Sequence, residues 1–356
     1  MAIIDLYGHE SLREKLAASW RAGTLPASLL LQGARGVGKQ RLALWLAQML
    51  LCERASAPCG ECAACRYARD LTHPDLHWVF PRPRLKDSDP DLEQVRSDYA
   101  EAIAERSAAH GLYAPPSGSE GIYVATARSL VQQAAIAPAF AKRKVFIVGD
   151  AERMVPQKDT DMAANAFLKL LEEPPADTTL ILTSSEPGAL LPTIRSRVVA
   201  IRVPLVADGA VRAFVENPLV KAALDKEHKS STNERTRVAG GAPGRLLSGA
   251  DDSRATINAR KIIDAARSPR VSQRYSTALS QGAANARGGF ADTLEALVEL
   301  LGENVRDALH RQDDGTASAA SASVDAVLRA QTYASGNVSP QIITARLISE
   351  LSEKLK

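Results

Sequence analysis

Gly33, Gly36 and Gly38 precede Lys39 in the run GARGVGKQ, residues 33–40. Glycines at this spacing let a backbone curl until its N–H groups converge on phosphate oxygens, and a lysine at the end adds a point charge. The G-x4-G-K pattern normally closes with Ser or Thr, whose hydroxyl binds magnesium; here Gln40 stands in that place, so magnesium binding should suffer. The competing reading is a glycine turn that merely joins a strand to a helix.

A second constellation follows directly. All four cysteines of the chain, Cys52, Cys59, Cys62 and Cys65, fall in the stretch CERASAPCGECAAC. Two C-x2-C steps with a fourth thiolate nearby suit tetrahedral zinc, and four protein ligands leave no open position for a catalytic water. The expected site is therefore structural, tying down a loop too short for its own core. Two disulfides, an iron–sulfur cluster and reduced bystander thiols are the alternatives. His73, in THPD, is expected to be an ordinary polar neighbour, because four thiolates already fill a tetrahedron.

These residues need elements to hold them. Ser28 to Gln32 (SLLLQ) reads as a short buried strand running into the glycine loop. Leu42, Trp45, Leu46, Met49 and Leu50 then share one face of a helix. Lys144 to Asp150 (KVFIVGD) is a second buried strand, ending in a carboxylate. At 356 residues the chain is expected to form two or three domains. Its 44 basic residues are nearly balanced by 41 acidic ones, so any DNA contact must be local. No run of about 18 apolar residues exists and the N-terminus lacks a signal-peptide core, which predicts a cytoplasmic protein with no membrane contact.

From Ala163 to Val203 the chain reads AANAFLKLLEEPPADTTLILTSSEPGALLPTIRSRVVAIRV. Ala164, Phe167, Leu168 and Leu171 share a helical face, Glu172 to Pro175 end that helix, and Thr179 to Leu182 form another buried strand. Alternating strands and helices predict a parallel, helix-flanked sheet. Together with the glycine loop, this block closely resembles the clamp-loader subunits of the AAA+ family. The resemblance implies an α/β fold: a P-loop domain at 1–205 carrying the zinc module 52–65, a small helical lid at 206–249, and an all-α collar domain at 250–356; the stretch 81–121 departs from the family pattern and reads as an insertion in the first domain. The insertion is polar, Pro/Gly-rich and helical around Leu92 to Ala109, and it is assigned no function.

The resemblance also distributes roles. KVFIVGD resembles a Walker B strand, in which Asp150 would hold magnesium and the next residue would be a water-polarising Glu; here Ala151 intervenes, and Glu152 would be carried to the opposite face if the strand continued. Ser184 and Ser185 take the sensor 1 position. Ser196, Arg197 and Val198 resemble the SRC motif, whose arginine reaches a neighbouring subunit's ATP, so Arg197 is the expected catalytic finger in trans; a plain surface arginine before an edge strand is the alternative, with Arg195 as a decoy on the same face if the segment is extended. In GGAPGRLLSG, residues 240–249, Arg245 matches sensor 2.

The chain is thus similar to the delta-prime family of the bacterial DNA polymerase III clamp loader, a DNA-directed DNA polymerase assembly. Such a subunit would work with gamma/tau and delta in a hetero-pentamer that places a sliding clamp on primed DNA during replication. ATP would be bound weakly, if bound, and hydrolysed little. The alternatives are an ATP-hydrolysing gamma/tau-type or DNA-remodelling AAA+ ATPase, against which Gln40 and Ala151 speak, and a zinc-dependent nucleic-acid module, against which the absent basic stripe speaks. In the collar, Leu294, Leu297, Val298 and Leu301 begin a helix whose apolar face continues toward His310, Gln312 to Ser323 (QDDGTASAASAS) is a low-complexity break, and a last helix runs from Pro340 to Leu355.

Overall fold

The computed structural model describes residues 2–355 apart from 88–89, 115, 117–119, 155–161, 228–229, 248–249, 282–286 and 336–337. Gly249, the expected end of the lid, and the side chains of Ala164 and His310 lie outside the described set. The chain divides into two compact units, residues 1–116 with 120–247, and residues 248–356.

In the first unit α1 (Glu10–Arg21) leads to β1 (Ser28–Gln32), α2 (Lys39–Leu51) and α3 (Ala63–Arg69). Then come β2 (Leu76–Val79), α4 (Leu92–Ala108), α5 (Val124–Ala134), β3 (Lys144–Val148), α6 (Met162–Glu172), β4 (Thr178–Ser184), α7 (Pro192–Arg195) and β5 (Val199–Arg202). The strands form one parallel sheet in the order β2-β3-β4-β1-β5. β1, β3 and β4 are buried on both faces, which is why they read as unbroken apolar runs rather than alternating ones.

Register brings the functional ends together. Gln32 pairs with Ser184 and Val148 with Leu182, so the segments that start at Gly33, Gly149 and Ser185 leave the sheet at one edge. That edge, at the carboxyl ends of parallel strands, is where open α/β sheets hold ligands.

Two features differ from the sequence expectation. The helix after the glycine loop was predicted to have one apolar face, yet Ala43, Leu44, Ala47 and Leu51 are buried as well as Leu42, Leu46, Met49 and Leu50. α2 lies against the sheet and is also packed by α1 and α3, so both sides lose water. β2 and α5 were not anticipated, because the short run LHWV carries a histidine; the His77 ring stacks on Phe146 at 4.6 Å. The insertion is part of the core: Val95, Tyr99 and Ala102 on α4 are buried in the cluster that includes the sheet residues.

Buried polar braces lock the far side of the sheet. The Asp75 carboxylate accepts backbone N–H bonds from Ala139, Phe140 and Ala141 at 2.6, 2.8 and 2.6 Å. Burial raises its pKa, but the three N–H donors and His73 outweigh burial and hold it below the ordinary value. Lys144 donates to the carbonyls of Gln133, Ala134 and Ile136, satisfying the end of α5.

After the sheet come α8 (Asp208–Glu216), α9 (Pro218–Glu227), α10 (Thr232–Ala239) and a 3₁₀ turn over Pro243–Leu247. Val211, Phe214, Val215, Val220 and Leu224 of this helical segment join the first unit's core.

The second unit is helical: α11 (Ala250–Arg267), α12 (Val271–Ser280), α13 (Arg287–His310), α14 (Asp314–Ser335) and α15 (Pro340–Lys354). Ile262, Leu294, Leu297, Leu301, Val327, Leu347 and Leu351 form its core. The expected break over Gln312 to Ser323 is corrected to a turn of a few residues. α14 begins at Asp314, its first turn held by Asp313, which accepts from the Thr316 N–H at 3.0 Å and the Thr316 hydroxyl at 2.6 Å. Low complexity here means alanine, the best helix former, with serine small enough to be buried; Ser323 bonds back to the Ala319 carbonyl.

Candidate functional site

The glycine loop has the shape its sequence predicts. A Cβ on Gly33 would lie 2.4 Å from the Val203 carbonyl oxygen, so only glycine fits. Gly36 and Gly38 have φ of 77° and 95°, and Gly38 caps α2 without any side-chain hydrogen bond to the helix N-terminus. The Gly36 carbonyl accepts from the Gly244 N–H at 2.8 Å, and the Arg245 backbone packs directly on Gly36. The loop and the sensor 2 candidate are thus in contact. Lys39, 5% exposed, donates to the Gly33 and Ala34 carbonyls at 3.0 and 2.9 Å and to Ser185 Oγ at 2.8 Å.

Gln40 is held at both ends of its amide. Its Nε2 donates to Asp150 Oδ2 at 2.9 Å, while its Oε1 accepts from Trp78 Nε1 at 3.1 Å and from the Tyr113 hydroxyl at 3.4 Å. An indole N–H can only donate, so the amide has one orientation, with its N–H group aimed at the carboxylate. Gly149 makes room: a Cβ there would sit 2.5 to 2.8 Å from the three amide atoms. Arg106, from the insertion, lies with its guanidinium carbon 3.2 Å from the Phe80 ring centre, 3.8 Å from Tyr113 and 4.7 Å from Trp78. Magnesium does not fit this arrangement, because it demands an octahedron of oxygens at about 2.0–2.1 Å whereas Asp150 faces an amide donor directly.

Asp150 has φ of 48° and donates its N–H to Thr183 Oγ1 at 3.0 Å. Burial raises its pKa above the ordinary value; Lys39, Arg153, Arg35 and Arg106 pull it part of the way back. The expected opposite-face placement of Glu152 is corrected. β3 stops at Val148 and Ala151–Arg153 is a 3₁₀ turn, so strand alternation does not apply. Glu152 Oε1 instead accepts from the Ser185 N–H at 2.9 Å, and burial first, Asp150 second, raise its pKa. Ser184 Oγ accepts from the Glu186 N–H at 3.1 Å and lies on the Glu152 side; Ser185 is the hydroxyl that reaches Lys39.

Arg197 follows the single turn α7. Its Nε donates to Glu172 Oε1 at 3.1 Å and its Nη2 to the same oxygen, while Nη1 donates to the Thr193 carbonyl at 2.9 Å and Ser196 Oγ at 3.0 Å. The pair is partly exposed, at 32% and 48%. Arg195 ends a helical turn instead of lying in an extended segment, so it does not share the face of Arg197 as the sequence suggested.

The cysteines converge. The four Sγ atoms lie within 4.8 Å of one another, with Cys52 to Cys62 and Cys59 to Cys65 both at 3.9 Å. A zinc–sulfur bond of about 2.3 Å puts tetrahedral sulfurs about 3.8 Å apart, so the donor set fits zinc. Cys62 and Cys65 donate their backbone N–H groups to Cys59 Sγ and Cys62 Sγ, each at 3.4 Å. The Cys62 N–H, with that of Glu61, brings the Cys59 thiol down to about 6, while burial pushes Cys65 up. His73 stays outside the cluster; its Nδ1 accepts from the Asp75 N–H at 3.1 Å and its ring packs on Phe140.

What sequence reasoning missed is the lining of the Gln40 pocket: Trp78, Arg106, Tyr113 and Gly149. Gly149 was legible as the glycine inside KVFIVGD; the other three carry no local signal.

Comparison with known proteins adds independent findings. A family profile described as DNA polymerase III, delta subunit, matches residues 8–206. The chain is 33% identical over 216 residues to the DNA polymerase III subunit delta' of Pseudomonas aeruginosa, covering 60% of this chain and 52% of that one. It is 32% identical over 186 residues to the Escherichia coli protein of the same name, covering 52% and 44%. It spans about half the length of these curated relatives. Among solved structures, a DNA polymerase III gamma subunit-related protein of Thermotoga maritima aligns over 98% of this chain and 99% of its own, at 15% identity and a TM-score of 0.38.

Proposed function

Since the chain belongs to the DNA polymerase III delta subunit family, we propose that it is a delta-prime-type clamp-loader subunit that supports ATP-dependent loading of a sliding clamp onto primed DNA without hydrolysing ATP itself. Its partners are gamma/tau and delta subunits in a hetero-pentamer in the cytoplasm. The observation that carries the non-hydrolysing part is the Gln40 to Asp150 hydrogen bond, which puts an amide donor where a hydrolysing site has a metal ion. Glu152, the carboxylate that would have to take the water-polarising role among the described residues near Asp150, is held by the Ser185 N–H and disfavoured as an anion by burial.

The glycine loop and Lys39 suit phosphate oxygens, and a nucleotide held there would stiffen the contact between Gly36 and the 243–247 turn. Arg197 acts outward. Its planar fork stabilises charge on a neighbour's transferring phosphoryl group, a contribution of about 10³–10⁵ in rate for fingers of this kind. Glu172 and the Thr193 carbonyl hold that fork until assembly. Zinc, held by Cys52, Cys59, Cys62 and Cys65, would cross-link the loop between α2 and α3 and supply no chemistry.

The test is ATP turnover by the reconstituted complex with clamp and primed DNA. With Arg197→Ala the complex should assemble and lose at least about tenfold in turnover, a floor set well below the roughly 10³–10⁵ of a single finger because other subunits' sites keep turning over. Unchanged turnover removes the trans role.

A further inference from the structure

Gln40 does more than leave out a magnesium ligand; its surroundings are built for an amide. The acceptor oxygen meets two donors, Trp78 Nε1 from β2 and the Tyr113 hydroxyl from the insertion, and the donor nitrogen meets Asp150. Gly149 has no Cβ where one would collide with the amide. Three separate stretches of chain, at Trp78, Tyr113 and Gly149–Asp150, thus agree on one neutral group. Arg106, also from the insertion, packs against Trp78, Phe80 and Tyr113 and adds a fixed positive charge beside this wall.

We infer that Gln40 is a built-in substitute for the divalent cation, and that the insertion 81–121 exists in part to hold it, so that this phosphate loop takes nucleoside triphosphate without magnesium. Groups suited to phosphate remain: the start of α2, with no side-chain cap, and Lys39 beside it, whose ammonium rests on the Gly33 and Ala34 carbonyls and Ser185 Oγ until an anion competes for it. What a metal normally adds is charge neutralisation between Asp150 and the phosphates, and here the carboxylate is already answered by an N–H donor. A magnesium-bound nucleotide would have to break the Gln40 to Asp150 bond and strand the Trp78 and Tyr113 donors. Free ATP need break neither.

This rests on the loop being a nucleotide-holding, non-hydrolysing site and is independent of Arg197. The experiment is calorimetric titration of the full chain with ATP, once in excess EDTA and once in excess magnesium chloride. The expected result is binding in EDTA with a dissociation constant within about twofold of that in magnesium, a difference below about 0.4 kcal/mol. Gln40→Ser, which frees Asp150 and restores a hydroxyl, should bind at least about fivefold more tightly with magnesium than without. Wild-type binding tightened about tenfold or more by magnesium overturns the inference, as does no binding in either condition. Magnesium-tightened binding without turnover would sink this inference and leave the proposed function standing; magnesium-dependent turnover by the isolated chain would sink both.

Discussion

Gln40 and Asp150, 110 residues apart in sequence, meet through a 2.9 Å hydrogen bond from Nε2 to Oδ2. The bond joins the first turn of α2 to the residue two places beyond β3, and it makes the carboxylate a hydrogen-bond acceptor with no call for a metal.

Neutralising Asp150 should therefore be harmless or better. Its folded pKa is raised, so the folded state favours the protonated form; the stability this gives exists below the ordinary carboxylate pKa and is lost as pH rises through the folded value. At neutral pH the anion is a cost. Asp150→Asn keeps an acceptor for Gln40 and removes that cost, so the thermal midpoint at pH 7 should hold or rise. A fall of more than about 4 °C would contradict the argument.

Gly149 and Gln40 should be coupled. Gly149→Ala places a methyl 2.5 Å from the amide oxygen and should destabilise by about 1–3 kcal/mol. In a Gln40→Ala background the same change should cost at least about 1 kcal/mol less. A double-mutant cycle by urea denaturation measures this; additive effects would mean the amide is not where the structure has it.

Asp75 should matter most at neutral pH. Asp75→Asn removes one of the carboxylate oxygens that together take three backbone N–H bonds, an expected loss of about 2–3 kcal/mol. Because its folded pKa is lowered, the stabilisation is present above the ordinary carboxylate pKa and fades as pH falls through the folded value. Denaturant melts of wild type and variant should be well separated at pH 7 and converge in acid; a gap that persists in acid argues against the carboxylate.

Metal analysis after dialysis should find one zinc per chain, and a strong chelator should lower the thermal midpoint. Clearly substoichiometric zinc, or a midpoint indifferent to chelation, would count against Cys52, Cys59, Cys62 and Cys65 as a ligand set.

The Glu172 to Arg197 pair is exposed enough that Glu172→Ala should change stability by less than about 1 kcal/mol. Arg197→Lys in the assembled complex should not restore turnover, because an ammonium lacks the planar fork. Full activity with lysine would make Arg197 a generic surface cation.

Much of this was legible in advance because it is local. SLLLQ, KVFIV and TTLIL are apolar runs whose two buried faces fix them as central parallel strands, and the glycine spacing fixed the loop between β1 and α2. Legibility ended where distance began. Trp78 and Tyr113 lie 38 and 73 residues from Gln40, and nothing in their own neighbourhoods marks them as partners of an amide. Glu152 was misplaced because the left-handed turn at Asp150 ends the strand two residues before a sequence pattern would. α14 was hidden by composition, since a serine–alanine stretch looks structureless until neighbouring helices bury it.

Lys39 has three oxygen neighbours of its own, the carbonyls of Gly33 and Ala34 and the hydroxyl of Ser185. Its ammonium is thus solvated from within, by oxygens of its own chain. Any anion offered to this lysine has to compete with those internal contacts before it gains the charge.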